Sequence, residues 1–392
     1  MSRSLAPASL ILLLAVTGCT QEQLEALLFD TYLVKLEAEP ADVVTTVNNI
    51  ATVFDLEPIH IFEQATQGFQ VDLPIGVADE IASWDEVQYV VIDNPDSYAP
   101  PPDWEEPELG DGEVPGGIER IGGAVTNVDF SGTAVAIIDT GVDLDHPDLN
   151  VVGGYDAVGD AVGTDNSGDD GHGHGTHVAG TIGAIADGEG VAGVAPGIDI
   201  YAVRVLDDDG AGTYGNIIAG LEWVITQQDI RVVNMSLGGA GDPSSNTMLE
   251  DAIQAVIDAG IVVVIAAGND ATDTSGFIPA GYDLGIVVSA YDSYGGDNGF
   301  AYFSNYGDAV DIAAPGMTIT STYPDGDYAA LSGTSMAAPH VAGAAAAYLA
   351  KYPTLSPAEV LSDILTTAED GFTGQGGDYP EPLIDVAALV GN

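Results

Sequence analysis

Apolar runs set the architecture of the long C-terminal part of the chain. Thr133–Ile138, Val232–Met235 and Val262–Ala267 are nearly unbroken stretches of small or β-branched apolar residues, each ending at Asp, Ser, Gly or Asn. Such short continuous runs predict strands buried on both faces, hence a mostly parallel sheet covered by helices. Helical patterning fills the gaps: a small-residue segment from His174, a periodic one from Tyr214 through Trp223–Ile225, and Val341–Leu349. The N-terminal part is patterned differently. Tyr32–Leu36, Gly68–Leu73 and Val87–Ile92 alternate as half-buried strands, while Ala41–Phe54 and Val77–Trp84 read as helices. A β-α-β-β-α-β order predicts a small α+β open-faced sandwich over residues 30–93. Residues 94–117 carry Pro95, Pro100, Pro101, Pro102, Pro107 and Pro115 among acids and read as an exposed, cleavable linker. The larger domain spans 118–392.

Chemistry concentrates at the ends of these elements. Gly333-Thr334-Ser335-Met336-Ala337 places a hydroxyl at the start of a helix, where unpaired N–H groups and the macrodipole favour developing negative charge. Asp139 ends the first buried run, and catalytic groups of open α/β sheets gather at carboxyl ends of strands. His174 lies between glycines at the mouth of the small-residue helix. Hydroxyl nucleophile, imidazole and orienting carboxylate are the set needed for acyl transfer. Asn269, just beyond another buried run, can donate its amide to an oxyanion. Each has a plain alternative: Asp139 as a turn residue, Asn269 as a helix cap. His172, His174 and His177 invite a zinc reading, but no thiol and no hydrolytic zinc motif accompanies them. His177 reads instead as a packed helix histidine.

These segments resemble the subtilisin-like serine proteases. The matching blocks are Ile138–Asp143, His146–Leu149, Gly173–Gly180, Gly193–Pro196, Ser236–Gly239, Ala266–Asn269 and the Ser335 block, in family order. The resemblance implies a three-layer α/β fold and a serine endopeptidase. It assigns Ser335 as nucleophile, His174 as general base and acid, Asp139 as orienting carboxylate and Asn269 as oxyanion donor. It further implies that Gly210, Ala211, Gly212 and Ser236, Leu237, Gly238 take an extended polypeptide substrate between them. Ala266, Ala267 and Gly268 would then help wall the pocket before the scissile bond, with Tyr214 at a more distant subsite. Apolar walls imply a broad preference for large uncharged side chains. A structural calcium ion is implied at Asp148 and the Ile185–Val191 loop, with Asp187 as side-chain ligand. Asp156, Asp160, Asp165, Asp169 and Asp170 form a second acidic cluster, which in so acidic a chain reads as a solvated face. By pattern and position the 30–93 unit looks like the inhibitor-type propeptide of the family, an intramolecular inhibitor.

Composition sets the setting. The 392 residues carry 61 acids against six Lys and Arg, a net charge of −55. Nucleic acid is excluded as a partner, because phosphate contact needs clustered bases. Such self-repulsion calls for screening by salt or bound cations. Residues 1–19 combine Arg3, the apolar run Leu5–Val16 and Val16-Thr17-Gly18-Cys19, which resembles a bacterial lipoprotein signal with Cys19 as the acylated residue. Cys19 is the only cysteine, so no intramolecular disulfide forms. The expectation is an exported monomer that meets a membrane only through lipidated Cys19. It is a cell-envelope lipoprotein, or extracellular once cleaved. An acid peptidase with Glu in place of His is disfavoured by His174. A non-catalytic calcium-binding surface lipoprotein would not need the four catalytic groups that are all present.

Overall fold

The computed structural model describes residues 29–37, 43–74, 77–93, 97–98, 114–159, 168–293, 299–369 and 381–391. Cys19 with its leader, most of the 94–117 linker, Asp160 and Asp165 lie outside the described residues. The chain forms two compact units, Met1–Asn94 and Pro95–Asn392.

In the first unit, β1 (Phe29–Leu36), β2 (Pro58–Phe62), β3 (Gly68–Pro74) and β4 (Val87–Ile92) form one sheet in the order β2-β3-β1-β4. Helices Val43–Phe54 and Ala78–Ile81 complete the β-α-β-β-α-β path. Val34, Leu36, Phe69, Val71 and Leu73 pack with Val47, Ile50 and Ile81 in a small core. β2 begins at a proline on the edge of the sheet, where a missing backbone donor costs nothing in pairing.

The second unit opens with β5 (Ser97–Tyr98) and is built on a seven-stranded sheet. Its strands are β6 (Ala134–Asp139), β7 (Val151–Asp156), β8 (Asp199–Arg204), β10 (Ile230–Met235), β12 (Val262–Ala266), β14 (Ile286–Tyr291) and β15 (Ile312–Pro315). The order is β15-β14-β12-β10-β6-β8-β7, and every ladder is parallel. Short antiparallel pairs lie outside it: β9 (Ala211–Gly212) with β5, β11 (Gly239–Ala240) with β13 (Phe277–Ile278), and β16 (Ile319–Tyr323) with β17 (Asp327–Leu331).

Strand alternation explains the three layers. Val135 and Ile137 share a core with Val178, Ile182, Val341 and Ala345 of helices His174–Gly183 and Thr334–Lys351. Ile138 points to the other face, towards Gly220 of the Tyr214–Thr226 helix. That helix packs against the Thr247–Asp258 helix. From β6 the chain runs to β7 at one edge, comes back to β8 beside β6, and then crosses to β10 on the other side of β6, so the sheet switches direction between β6 and β10. A crevice opens at the carboxyl ends of strands flanking such a switch.

Asp311, at the mouth of β15, is mostly buried and accepts the Val287 N–H at 2.9 Å. Burial pushes its carboxyl up to about 6; the Val287 hydrogen bond opposes the rise and the charge of Asp283 adds to it. A carboxyl with a raised folded pKa destabilises the fold once it is ionised in both states. The penalty sets in above about pH 4, where the unfolded carboxyl ionises, and is complete once pH passes the folded value of about 6. Asp311→Asn keeps an acceptor for Val287 and should raise stability at pH 8 by about 1–3 kcal/mol, with no gain near pH 4. Urea midpoints at the two pH values check this.

Candidate active site

The crevice collects the residues that the sequence singles out. Asp139 is the last residue of β6, and His174 opens its helix; they are 0% and 1% exposed. His174 Nδ1 lies 2.7 Å from Asp139 Oδ1, which also accepts the Thr140 N–H at 2.8 Å. With Nδ1–H donating to the carboxylate, Nε2 is the free acceptor of the neutral ring. Nε2 is buried without a hydrogen-bond partner. Burial alone would lower the pKa of His174, but the charge and hydrogen bond of Asp139, joined by the charge of Asp170, raise it above the ordinary imidazole value. The approach of helix to strand requires glycine at 175. A Cβ there would stand 2.0 Å from Gly141 O and 3.2 Å from Asp139 Cβ.

Ser335 is the second residue of the buried Thr334–Lys351 helix, which packs on the His174–Gly183 helix. Pro339 lies four residues on, inside the helix, and has no N–H to give the Ser335 carbonyl. Ser236 Oγ–H takes that place, donating to Ser335 O at 2.8 Å, and itself receives Asn234 Nδ2–H at 2.9 Å. In return Ser335 Oγ donates to Ser236 O at 3.1 Å. In this conformation the Ser335 hydroxyl donates to Ser236 O, and His174 Nε2 has no hydrogen-bond partner. Such loose resting contacts are common before substrate binds.

Asn269 follows β12. Its Oδ1 accepts from Thr334 N at 2.8 Å and from Thr334 Oγ1 at 3.0 Å. A backbone N–H can only donate, so the amide orientation is fixed and Nδ2 is left as the outward donor. Gly268 has φ +102°, and a Cβ there would meet Asn305 Nδ2 at 2.3 Å. Leu237, Gly238, Ala266, Ala267, Gly268 and Asn269 line a cavity of about 560 Å³ that reaches Ser335. Gly239, Ala240 and Thr334 join them, and Phe277 and Ile278 of β13, Ala280 and Asp270 complete the lining. No sequence pattern marked these last four, because β13 reaches the pocket only through its two-residue pairing with β11.

Other residues fall elsewhere. Ala211–Gly212 form an edge paired antiparallel with Ser97–Tyr98, while Gly210 turns with φ +76°. Tyr214 starts the next helix and is largely buried. His177 Nε2 lies 2.9 Å from Ile319 O and 3.1 Å from Ala329 O, to which it donates, joining its helix to the β16–β17 hairpin. Burial first, then neighbouring histidine charge, push it down to about 3, so it is a neutral structural group. Asp148 accepts from Val191 N at 3.1 Å and Tyr328 Oη at 3.2 Å, and Asp187 from Glu189 N at 3.1 Å. Burial raises the Asp148 carboxyl, with the charge of Asp187 contributing. No cluster of three His, Cys, Asp or Glu able to hold a metal occurs among the described residues. The solvated-face reading of the second acidic cluster fails for two members. Asp156 and Asp170 are buried because each has dedicated donors: Arg204 for Asp156, and Thr140, Thr176 and loop N–H groups for Asp170.

Comparison with known proteins gives the same answer. The Peptidase_S8 subtilase family matches residues 131–380. Subtilisin DY of Bacillus licheniformis is 47% identical over 261 residues, 65% of this chain and 90% of its own. A cold adapted subtilisin-like serine proteinase superposes with a TM-score of 0.61 at 36% identity, over 69% of this chain and 97% of its own. Fervidolysin from Fervidobacterium pennivorans, a keratinolytic enzyme related to subtilisin, superposes with a TM-score of 0.74 at 29% identity, over 93% of this chain and 61% of its own. With its all-parallel switch-point sheet, the chain belongs to the subtilase family and is a subtilisin-like serine endopeptidase.

Proposed function

We propose that Ser335, His174 and Asp139 form the catalytic triad, with Asn269 as oxyanion donor, in an exported, propeptide-controlled protease. The buried 2.7 Å Asp139–His174 pair with its unpartnered Nε2 carries this reading. Ser335 Oγ, rotated off Ser236 O, attacks the scissile carbonyl as its proton passes to His174 Nε2. Asp139 holds Nδ1–H and stabilises the imidazolium. Asn269 Nδ2–H and the Ser335 N–H at the helix N-terminus receive the oxyanion. The leaving amine then takes the proton from Nε2, and water repeats the sequence on the acyl-enzyme with His174 again as base. The apolar walls favour large uncharged side chains before the scissile bond.

Zymogen control draws on the Ser97–Tyr98 strand. This segment pairs with Ala211–Gly212, so the chain occupies an edge read as a substrate strand with its own extended backbone. The fervidolysin superposition, spanning 93% of this chain, takes in the N-terminal unit as well. Export and lipidation rest on residues 1–19. Among the described residues no helix is long and apolar enough to cross a membrane. A calcium ion fits beside Asp148 and Asp187: two carboxylates repel there, one of them buried, and a divalent cation would neutralise them. The Ile185–Val191 loop carbonyls would complete its shell, and the ion would brace that loop.

Ser335→Ala is expected to abolish peptide hydrolysis. Asn269→Ala should lower kcat by roughly 10²–10³, the scale known for one lost oxyanion donor in a subtilisin. In wild type the acidic limb of kcat/KM should lie above the ordinary imidazole value, following His174. Near-normal hydrolysis by Ser335→Ala would sink the serine mechanism.

Chelator should lower the melting temperature and added Ca²⁺ should restore it by mass action on the folded state. An unchanged melting curve removes the ion from the account.

Maturation joins anchor and inhibitor. Ser335→Ala should remain full length and membrane-bound, while wild type releases a soluble fragment that begins within residues 93–117. Mass spectrometry of both reads the outcome. An active catalytic domain still covalently joined to acylated Cys19 would overturn this order of events.

A further inference from the structure

Asp170 is a second buried carboxylate beside His174, and the triad chemistry does not use it. Its Oδ1 accepts from Thr140 Oγ1 at 2.9 Å, His172 N at 2.9 Å and Gly173 N at 2.8 Å. Its Oδ2 accepts from Thr176 N at 2.9 Å and Thr176 Oγ1 at 2.6 Å. One of these donors, Thr140, reaches the catalytic pair directly, and the other, Thr176, ties down the loop beside it. Thr140 gives its N–H to Asp139 at 2.8 Å, and its hydroxyl accepts the Gly175 N–H at 3.0 Å. Thr176 takes the Asp143 N–H at 2.9 Å, closing the loop after β6 onto the histidine helix. Asp170 thus holds the residue that follows Asp139 and residues on both sides of His174.

Building on the triad reading, we propose that Asp170 is a positioning residue: it sets the register of Asp139 against His174 and adds negative field where the imidazolium forms. The field counts because little else supplies it. His174 faces Asp139 from β6, Asp170 and His172 from its own loop and His177 from its helix, and His340 of the helix packed against that one acts on His177. Burial keeps His177 and His340 neutral, at about 3 and about 4. Tyr323 of β16 donates to His172 O at 3.2 Å, and its phenol feels the charge of Asp170. Arg204, the register partner of Asp139 in β8, is engaged by Asp156 at 3.1 Å and Asp208 at 2.8 Å. Asp170 is therefore an anion held next to a ring that must become cationic, with five donors and no cation of its own. The charge of Asp170 also acts to raise the pKa of His174.

Asp170→Asn removes the charge and leaves Oδ1-type acceptance, whereas Thr176→Val keeps the charge and removes the 2.6 Å donor. In the full chain, processed as wild type, both should lower kcat by roughly 10–100-fold with KM nearly unchanged, because substrate contacts are intact and near-attack geometry is not. Only Asp170→Asn should move the acidic limb of kcat/KM to lower pH, since a ring without the neighbouring anion loses its proton more readily. NMR titration of the His174 ring in Ser335→Ala, with and without Asp170→Asn, reads the same shift without turnover. An unmoved limb and titration in Asp170→Asn overturn the field, and an unchanged kcat in Thr176→Val overturns the clamp even where Asp170→Asn fails to fold. Failure of the triad reading shows separately, as hydrolysis by Ser335→Ala.

Discussion

A carboxylate and an imidazole with essentially no solvent exposure, 2.7 Å apart, are the constraint around which the rest of the catalytic unit is arranged. Burying either group alone is costly, and a pair survives only with good geometry and further hydrogen bonds. The sheet meets the first demand by placing Asp139 at the end of β6, where the strand order switches and a crevice opens. Gly175 meets the second by letting the histidine helix close onto that strand end. The Thr140 N–H and the Asp170 cluster then fix carboxylate and ring from both sides.

Ser335, the proposed nucleophile, is held by a different device with the same logic. A proline inside a buried helix leaves a carbonyl without its donor, normally a destabilising fault. Here the orphan belongs to Ser335, and the side chain of Ser236 repairs it. The repair joins the nucleophile to the segment that continues into the pocket wall at Leu237 and Gly238. The Asn269 amide is oriented by Thr334, the residue immediately before that serine. Ser335, the pocket wall and Asn269 therefore share backbone anchors rather than being placed independently.

The parts of this arrangement legible in the sequence are those encoded locally. Continuous apolar runs gave the buried strands β6, β10 and β12, and glycine-flanked motifs at their ends drew attention to Asp139, His174, Asn269 and Ser335. What sequence pattern did not reveal depends on distant partners. Asp156 and Asp170 look like members of a solvated acidic run, yet Arg204 in one case and Thr140 and Thr176 in the other make burial tolerable. Phe277 and Ile278 become pocket residues only through pairing with Gly239–Ala240. Ser97–Tyr98 sits in a proline-rich stretch that reads as linker, and only its partner edge at Ala211–Gly212 makes it a strand. β2 starts with Pro58, an unpromising strand signal that an edge position permits.

The central claim is that one serine, activated by one buried histidine–aspartate pair, performs the chemistry. Covalent labelling with a phosphonofluoridate, which reacts only with an activated hydroxyl, tests it without assuming a substrate. The account predicts a single adduct, mapped by peptide mass spectrometry to Ser335 and lost in His174→Ala. An adduct on another residue, or labelling of Ser335 that persists unchanged without His174, would contradict it.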